Sequence, residues 1–322
     1  MKQINYGIIS TANIVPRFVK GINESKFGVA YAIGGSNISK AKSYAKQLGI
    51  PKYYGSYQEV YEDPNVDIVY IATYNGGHFQ CILDALNHNK HVLCEKPMCL
   101  TAEQVQECFG LAKEKQLFLM EAQKSVFLPA IKEVKKILED KIIGDIQWIN
   151  IISSHIAKNR GAWFNSFKKG GGIFRGAGTY PLEFLLTVFE QSLTNVSGIL
   201  SIKDSETDNS AILDLTLQDR TLISILVTKD IHDESRVEIF GTKGKITIPN
   251  YWKTDRYIIE TNEESENRQL PMNSEFVYEV DHVNDQLLSG KLLSPVMTPE
   301  VTYSAIKIID DIYQKELGKK TR

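Results

Sequence analysis

Hydrophobic positions in the first 120 residues fall into short apolar runs that alternate with amphipathic segments. Buried strands are predicted at INYGIIS, GVAYAIGGS, VDIVYIAT, HVLCEK and LFLMEA. Amphipathic helices are predicted between them, including SKAKSYAKQLG, which ends at Gly49, and a helix that begins with a Thr101–Gln104 capping box. Strands separated by crossover helices pair in parallel. The pattern therefore predicts a doubly wound parallel sheet over residues 1–121, within an α/β protein.

After residue 121 the pattern changes. A helix at LPAIKEVKKILED, with Pro129 in its first turn, precedes six β-rich runs that follow one another without crossover helices. FGTKGKI is typical of a hairpin, so we expect a large, mostly antiparallel open sheet in an α+β domain over residues 122–322. The segment ETNEESENRQ is interpreted as an acidic surface loop, and two helices close the chain.

Composition excludes several classes of protein. The chain has 322 residues and a formal net charge of -2, which gives no basic face for nucleic acid. Its apolar runs are shorter than the roughly 20 residues of a membrane span, and no secretory signal pattern is present, so we expect a cytoplasmic protein. Four cysteines lack metal-ligand spacing, which predicts reduced thiols and no metal site.

Doubly wound sheets bind ligands beyond the carboxyl ends of their strands, where the strand order reverses. The first strand ends in GIISTANIV, in the position of a dinucleotide-binding turn, but Ser10, Ala12 and Val15 replace the usual glycines or alanine. Small residues still allow backbone N–H groups and the helix N-terminus to approach a pyrophosphate. We predict cofactor contacts from Ser10, Thr11, Ala12, Asn13 and Ile14, the alternative being a plain strand-to-helix connection.

The second strand ends in AIGGSNISKA. An NAD site usually has an acidic residue here for the ribose 2′-hydroxyl, whereas an NADP site omits it and offers donors or cations to a phosphate. No acidic residue is present, and Gly35, Ser36, Asn37 and Lys40 are the candidate contacts, so NADP is favoured over NAD. The alternative is a solvated loop with a helix cap at Ser39.

Four motifs come in a familiar order and spacing: GIISTANI, IATYNGGH, HVLCEKPM and GGGIFRGAGTY. From about Asn5 to the final helix, the chain resembles the Gfo/Idh/MocA oxidoreductase family, and most closely its dihydrodiol dehydrogenase-like branch. The resemblance implies a doubly wound Rossmann domain and an NAD(P)-dependent enzyme. It further implies hydride transfer between nicotinamide and a hydroxyl or carbonyl group of a small molecule, either a sugar, a polyol or a related diol.

Lys96 is the main catalytic candidate. It follows a central strand at the carboxyl edge of the sheet, and Pro97 fixes the turn that presents it. In the family this lysine reaches the nicotinamide and the reacting hydroxyl, and the lysyl-proline bond is often cis; the sequence leaves the isomer open. Lys96 acts either with a lowered pKa or as a charged donor that polarises the substrate oxygen. Glu95 either orients the lysine or contacts the cofactor ribose.

Tyr180, at the end of GGGIFRGAGTY, is the second catalytic candidate. The resemblance implies that its phenol exchanges the proton, with a nearby lysine cation lowering its pKa; the alternative is a core tyrosine opening a helix. The family's aspartate is replaced by Gly176, which weakens analogy on substrate and activity. Arg175 before it either binds an anionic part of the substrate or faces solvent.

The remaining candidates come from the resemblance as well. IATYNGGH matches a family stretch on the nicotinamide side of the cofactor, although its histidine is equally expected to cap or pack a helix. The other cofactor candidates are Thr73, Tyr74, Asn75, His78, Gln123 and Trp163. Two rival functions stay open: a silent cofactor- and sugar-binding regulator, and an NAD-dependent glycosidase of the same family. A homodimer through the C-terminal sheet is expected.

Overall fold

The computed structural model describes residues 2–155, 161–203 and 206–318. They form two compact units. The first unit comprises the chain up to Gln123 together with Ser274–Tyr303, and the second comprises Lys124–Asn273 and the chain from Ser304 onward. The predicted division at residue 121 stays a prediction, but a segment that we assigned to the second domain packs with the first unit.

The first unit contains a six-stranded sheet in which every neighbouring pair is parallel. Its strands are β1 Ile4–Ile9, β2 Gly28–Gly34, β3 Lys52–Tyr54, β4 Ile68–Ile71, β5 His91–Glu95 and β6 Leu119–Ala122. The order is β3-β2-β1-β4-β5-β6, so the direction of winding reverses between β1 and β4. This confirms the predicted doubly wound sheet and places its ligand-binding crevice at the carboxyl ends of these two strands.

Helices connect the strands of the first unit. They are α1 Val15–Glu24, α2 Ile38–Leu48, α3 Tyr57–Glu62, α4 His78–Asn87 and α5 Ala102–Glu114. Gly49 ends α2 in the left-handed conformation, as predicted. At the start of α5 the capping box is incomplete: the Thr101 side chain accepts from the N–H of Gln104, but the Gln104 side chain accepts from Leu100. A full capping box lies instead at Ser56 and Glu59, ahead of α3.

The second unit is built on an eight-stranded sheet that is mostly antiparallel, as predicted. Its strands are β7 Ile146–Ser154, β8 Leu193–Ser201, β9 Ser210–Leu217, β10 Leu222–Thr228, β11 Arg236–Gly241, β12 Gly244–Pro249, β13 Arg256–Thr261 and β14 Ser265–Gln269. The order is β14-β13-β12-β11-β7-β10-β9-β8, and only β7 with β10 is parallel among these pairs. Its helices are α6 Pro129–Glu139, α7 Ile173–Ala177 and α8 Thr179–Phe189.

The segment interpreted as an acidic loop is a strand. ETNEESENRQ contributes the end of β13 and the edge strand β14, which pair as an antiparallel hairpin. All five residues of Ser265–Gln269 are exposed, so the strand lacks the apolar alternation that predicts one. Charged residues on an edge strand discourage pairing with other chains.

The last two helices are α9 Val277–Leu288 and α10 Pro299–Gly318. Side-chain contacts explain why α9 belongs to the first unit. The Tyr6 phenol donates to the Asn284 side chain at 2.8 Å in the buried interior, and the backbone of Phe276 approaches Gly21 so closely that a Cβ there would lie 2.5 Å from the Phe276 Cβ. The interaction joins residues 278 positions apart, which a sequence pattern does not reveal.

Candidate active site

Four candidate segments follow four neighbouring strands of the parallel sheet. In sheet order they follow β2, β1, β4 and β5, and they begin at Gly35, Ser10, Thr73 and Lys96. Because parallel strands end at the same edge, these segments share one edge of the first unit. The sheet thus brings together the predicted cofactor residues that lie between Ser10 and Lys96.

The turn after β1 has the backbone of a glycine turn without a glycine. Ser10 has φ 96°, in the region that favours glycine, and its N–H donates to the Gly34 carbonyl at 2.9 Å. Pro16 opens α1, whose first turn carries no acidic residue, and no described side chain caps it. The N–H groups of Val15, Arg17 and Phe18 donate to the Ala12 and Ile14 carbonyls. The positive end of the helix dipole is therefore the feature of this helix start that fits a pyrophosphate.

The loop after β2 presents polar groups to solvent. Ser36, Asn37 and Lys40 are exposed, while Gly35 is buried against the Thr11 methyl group. The helix cap lies at Asn37 and not at Ser39: the side-chain oxygen Oδ1 of Asn37 accepts from the N–H of Lys40 at 3.0 Å. The Asn37 side chain is thus partly committed to the helix, while Ser36 and Lys40 carry the donor and the cation of this loop.

The loop after β4 contains one exposed candidate, two buried candidates and the half-buried Thr73. Tyr74 is 45% exposed, whereas Asn75 and His78 are buried. The two ring nitrogens of His78 face the backbone carbonyls of Pro97 at 2.8 Å and Thr73 at 3.2 Å. Burial lowers the pKa of His78. His78 thus links the two loops, which favours packing over ligand contact.

Lys96 is held in a turn whose two sides are fixed by carboxylates. The Lys96–Pro97 peptide bond is cis, which answers the question that the sequence left open. Before the lysine, Glu95 accepts from the Tyr70 phenol at 2.6 Å; after it, the N–H of Met98 donates to buried Glu121 at 2.7 Å. Lys96 itself is half-buried. These contacts position the backbone on both sides of the ammonium-bearing residue.

Tyr70 connects this turn to the helix layer. Its ring stacks on Phe18 of α1 with centroids 3.5 Å apart, and burial together with the Glu95 carboxylate raises the pKa of the Tyr70 phenol. The phenol therefore stays protonated and donates to Glu95. The described contact anchors the Glu95 carboxylate at Tyr70, and its contact with Lys96 or with the cofactor ribose stays a prediction.

In the second unit, Tyr180 lies in the first turn of α8 with 9% of its surface exposed. The lysine beside it in this unit is Lys124, which opens a 3-10 helix at Lys124–Phe127. The Lys124 ammonium donates to the Tyr180 phenol oxygen at 3.3 Å and to the Trp252 carbonyl at 3.0 Å. It lies 5.1 Å from the ring centroids of both Tyr180 and Trp252. A buried cation thus faces the predicted proton-exchanging group.

An aromatic cluster surrounds this pair. His155, which follows β7, stacks on Tyr180 with centroids 6.0 Å apart and lies 5.4 Å from Trp252. The His155 ring is fixed by a hydrogen bond of 3.0 Å between its Nε2 and the Ser153 hydroxyl, which in turn accepts from the buried Tyr251 phenol. The cluster gives the second unit a rigid wall of rings around one ammonium group.

Arg175 is half-buried in the second unit, and its contact with an anionic part of the substrate stays a prediction. Its guanidinium lies 4.3 Å from the ring centroid of Tyr313 and donates to the Phe167 carbonyl at 3.1 Å. These contacts pack the guanidinium within the second unit, so the side chain does not simply face solvent. Gly176 leaves this helix without the family carboxylate, but Asp208 lies at the start of α7 and accepts from the N–H of Phe174 at 2.7 Å.

Gln123 is fully buried at the end of β6, and Trp163 is half-buried beside Phe164. The segment EAQK, which ends at Lys124, is predicted as a hinge and cofactor wall, but the sequence did not predict the contact of Lys124 with Tyr180 or the membership of His155 and Trp252 in the candidate site. Lys124 directly follows a residue that was predicted to contact the cofactor, and this position was the available signal. The other two residues follow or connect strands of the second sheet, where the sequence offers no motif.

In the part of the chain that the structure describes, no group of three or more His, Cys, Asp or Glu side chains is arranged to hold a metal ion. In residues 2–155, 161–203 and 206–318, no helix combines the length and the apolar character needed to cross a membrane.

Comparisons with known proteins give a consistent result. Residues 4–123 match the NAD-binding Rossmann fold of the oxidoreductase family Gfo/Idh/MocA, and residues 131–247 match the C-terminal domain of that family. The chain is 31% identical to trans-1,2-dihydrobenzene-1,2-diol dehydrogenase of Xenopus tropicalis, with 96% of this chain and 97% of the relative covered. The Mus musculus protein of the same name is 28% identical, with 91% of each covered.

Two solved structures share the fold. The 3-ketoreductase KijD10 from Actinomadura kijaniata, solved with NADP and TDP-benzene, superposes with a TM-score of 0.89 at 22% identity, covering 97% of this chain and 98% of that one. The aldose-aldose oxidoreductase from Caulobacter crescentus, solved with glycerol, gives 0.87 at 21% identity, covering 100% and 99%. The match of both family domains and of a full-length relative shows that the chain belongs to the Gfo/Idh/MocA family of NAD(P)-dependent oxidoreductases.

Proposed function

We propose that this enzyme transfers hydride between a nicotinamide cofactor and a hydroxyl or carbonyl group of a sugar, polyol or related diol. The observation that carries the proposal is the place of Lys96, which directly follows β5 at the same sheet edge as the turn at Ser10. The substrate class comes from the relatives, which are named as a diol dehydrogenase, a ketoreductase and an aldose oxidoreductase.

In the proposed cofactor site, the turn from Ser10 to Ile14 and the positive end of the α1 dipole bind the pyrophosphate, and the loop from Gly35 to Lys40 faces the adenosine ribose. NADP is preferred over NAD because this loop carries Ser36 and Lys40 and has no carboxylate to repel a 2′-phosphate. When bound, the nicotinamide accepts or donates the hydride. Thr73, Tyr74 and Asn75, after β4, are the proposed contacts on the nicotinamide side.

Lys96 and Tyr180 have separate proposed roles. The Lys96 ammonium donates to the reacting oxygen and stabilises the negative charge that develops there during oxidation. The Tyr180 phenolate takes the proton of the substrate hydroxyl in oxidation, and the phenol returns it to the carbonyl oxygen in reduction. Glu95 and Glu121 fix the backbone of the Lys96 turn and take no part in the proton transfer.

The test is turnover with purified protein, sugars and diols, and each cofactor in turn. A change in nicotinamide absorbance with at least one substrate is expected, larger with NADP than with NAD. Cofactor binding without any turnover would instead indicate a regulatory protein. The replacement of the family aspartate by Gly176 is the feature that favours this alternative. Release of free sugar from glycosides, without net change in the cofactor, would indicate a glycosidase.

The variants Lys96→Met and Tyr180→Phe test the assigned roles. Each is expected to lower kcat by about 100-fold or more, the usual contribution of a positioned acid, base or charge, while the affinity for cofactor changes little. Lys90→Met is a control, because Lys90 donates to two backbone carbonyls near α3 and is expected to affect stability alone. Full activity of Lys96→Met would contradict the mechanism.

We also propose a homodimer through the outer face of the eight-stranded sheet. Inward residues of its strands are buried, while large apolar residues stand exposed on alternate positions. Ile199, Ile212 and Leu222 are 66%, 55% and 60% exposed, and Leu222 pairs with Trp148, which is itself 38% exposed. Large exposed apolar residues on one sheet face are typical of a protein interface, and here the Asp214–Ser224 pair lies among them.

A further inference from the structure

The geometry points to Lys124 as a positioning residue that holds Tyr180 ready to release and accept its proton. This inference rests on the proposed function, which makes Tyr180 the proton-exchanging group. It adds a second lysine to that function: Lys96 acts on the substrate oxygen, and Lys124 acts on the phenol. Lys124 itself forms and breaks no covalent bond in the reaction.

The Lys124 ammonium is buried and held beside the Tyr180 phenol. Lys124 is 4% exposed, and its ammonium donates to the Tyr180 phenol oxygen at 3.3 Å. The Trp252 carbonyl, 3.0 Å away, and the faces of the Tyr180 and Trp252 rings hold the ammonium in place. A carbonyl acceptor and two aromatic faces all stabilise a positive charge. The lysine is therefore kept as a cation next to the phenol.

The positive charge of Lys124 favours the ionised form of the Tyr180 phenol. An opposite charge within about 4–6 Å favours the ionised form of a group and lowers the pKa of an acid by about 1–3 units. A tyrosine begins near pKa 10, so a shift of this size brings the phenol toward the range in which an acid–base catalyst works at neutral pH. In oxidation, the O–H bond of the substrate breaks and a new O–H bond forms on the Tyr180 oxygen; reduction reverses this transfer.

Other titratable groups lie around Tyr180. His155 stacks on its ring, but its Nε2 is paired with Ser153. Glu183 is buried and lies one helical turn further along α8, and the Lys253 ammonium lies 4.7 Å from the centroid of the Trp252 ring. Unlike His155, Glu183 and Lys253, whose described contacts do not include this oxygen, Lys124 donates directly to the Tyr180 phenol oxygen. Its removal is therefore expected to shift the titration of Tyr180 more than removal of the His155 imidazole.

The test follows the phenol directly by NMR of protein labelled with carbon-13 at the tyrosine Cζ, with the Tyr180 signal assigned from the Tyr180→Phe variant. In the wild type the signal is expected to titrate well below the ordinary value near 10. In Lys124→Met the midpoint is expected to rise by about 1 unit or more, whereas Lys124→Arg, which keeps the charge, and His155→Phe, which keeps the ring, are expected to titrate close to the wild type.

The pH dependence of kcat/KM gives the second readout. The limb assigned to Tyr180 is expected to move to higher pH in Lys124→Met, with about tenfold lower oxidation rate at pH values below the limb. A uniform loss of activity with an unmoved limb would show a merely structural role. The NMR titration needs no turnover, so it decides the role of Lys124 even if the proposed function fails. A wild-type phenol that titrates at 10 or above overturns the inference without any variant.

Discussion

At the scale of single residues, the backbone takes unusual conformations where the candidate site is built. Ser10 adopts φ 96° in the turn after β1, and Gly172 adopts φ 115° just before α7. Glycine is favoured at this φ but is not required, as Ser10 shows. A strict search for the glycine motif therefore rejects this turn. At Gly172, in contrast, the space itself excludes a side chain.

Gly172→Ala is expected to destabilise the second unit by about 1–3 kcal/mol or more, the usual cost of a residue in a disfavoured conformation. A Cβ at this position would lie 2.2 Å from the Asp208 carboxylate and 2.6 Å from the Tyr313 hydroxyl. Gly110→Ala in α5 is the matched control. A Cβ at this position has open space around it, so the variant is expected to raise the free energy of unfolding by about 0.5–1 kcal/mol. Denaturant unfolding measures both, and an unchanged free energy of unfolding for Gly172→Ala would contradict the description of this turn.

The preference for NADP over NAD can be tested at a single residue, Ser36. Ser36→Asp places a carboxylate in the exposed loop after β2, where it is expected to repel a 2′-phosphate and accept from a 2′-hydroxyl. We expect the ratio of the NADP and NAD dissociation constants to shift toward NAD by about tenfold or more, as measured by calorimetry. Gln47→Glu adds the same charge at the exposed far end of α2 and is expected to leave the ratio unchanged. An unchanged ratio in Ser36→Asp would remove Ser36 from the cofactor site.

At the scale of elements, sequence patterns succeed where one face of a strand or helix is buried and fail where none is. The parallel strands are predicted from their short apolar runs, α6 from its apolar positions and leading Pro129, and the β11–β12 hairpin from its turn residues. Strand β14 is not, because every residue in it is exposed. Strand β3 is missed for a similar reason: its three residues are exposed or half-buried.

The pairing of β5 with β6 carries a pH dependence. Nδ1 of His91 accepts from the N–H of Phe118 at 3.0 Å, and burial lowers the pKa of His91. Below the unfolded value near 6.5, the unfolded chain takes up a proton that the folded chain resists, so stability is lost as the pH falls from about 7 toward the folded pKa. The slope is at most about 1.4 kcal/mol per pH unit for one proton, and less for a half-buried ring.

His91→Asn keeps an acceptor for the Phe118 N–H but does not titrate in this range. We expect it to be nearly as stable as the wild type at pH 7 and to lose less stability between pH 7 and pH 5. Buried His78 has a lowered pKa as well, so part of the decrease in unfolding free energy with falling pH is expected to remain in this variant. Denaturant unfolding at several pH values measures the difference, and identical slopes in both proteins would rule out His91 as a source of the pH dependence.

At the scale of the whole molecule, the fold class, the family and the two catalytic candidates were predicted from periodicity and motifs. Contacts between residues far apart in sequence were not. The hydrogen bond of Tyr6 with Asn284 groups α9 with the first unit, and the donation from Lys124 to Tyr180 joins residues 56 positions apart. Neither pair has a spacing that marks it in a sequence, because such contacts depend on how separate elements pack.

The exposed face of the large sheet predicts the oligomeric state. The double variant Ile212→Lys and Leu222→Lys is expected to be monomeric in sedimentation experiments, whereas the wild type is expected to sediment as a dimer, because two charges would be buried without partners in the interface. Leu293→Lys is the control: Leu293 is 51% exposed and belongs to the first unit, so it is not part of this sheet. A monomeric wild type would contradict the proposed interface.

The most direct test of the account is isotope transfer. Reduced NADP carrying deuterium at C4 of the nicotinamide is incubated with the enzyme and a carbonyl substrate found in the turnover experiment, and the product alcohol is examined by mass spectrometry and NMR. We predict deuterium on the carbinol carbon with the wild type and at least about 100-fold slower transfer with Lys96→Met. A product without deuterium, or transfer at the wild-type rate in that variant, would contradict the proposed hydride chemistry at Lys96.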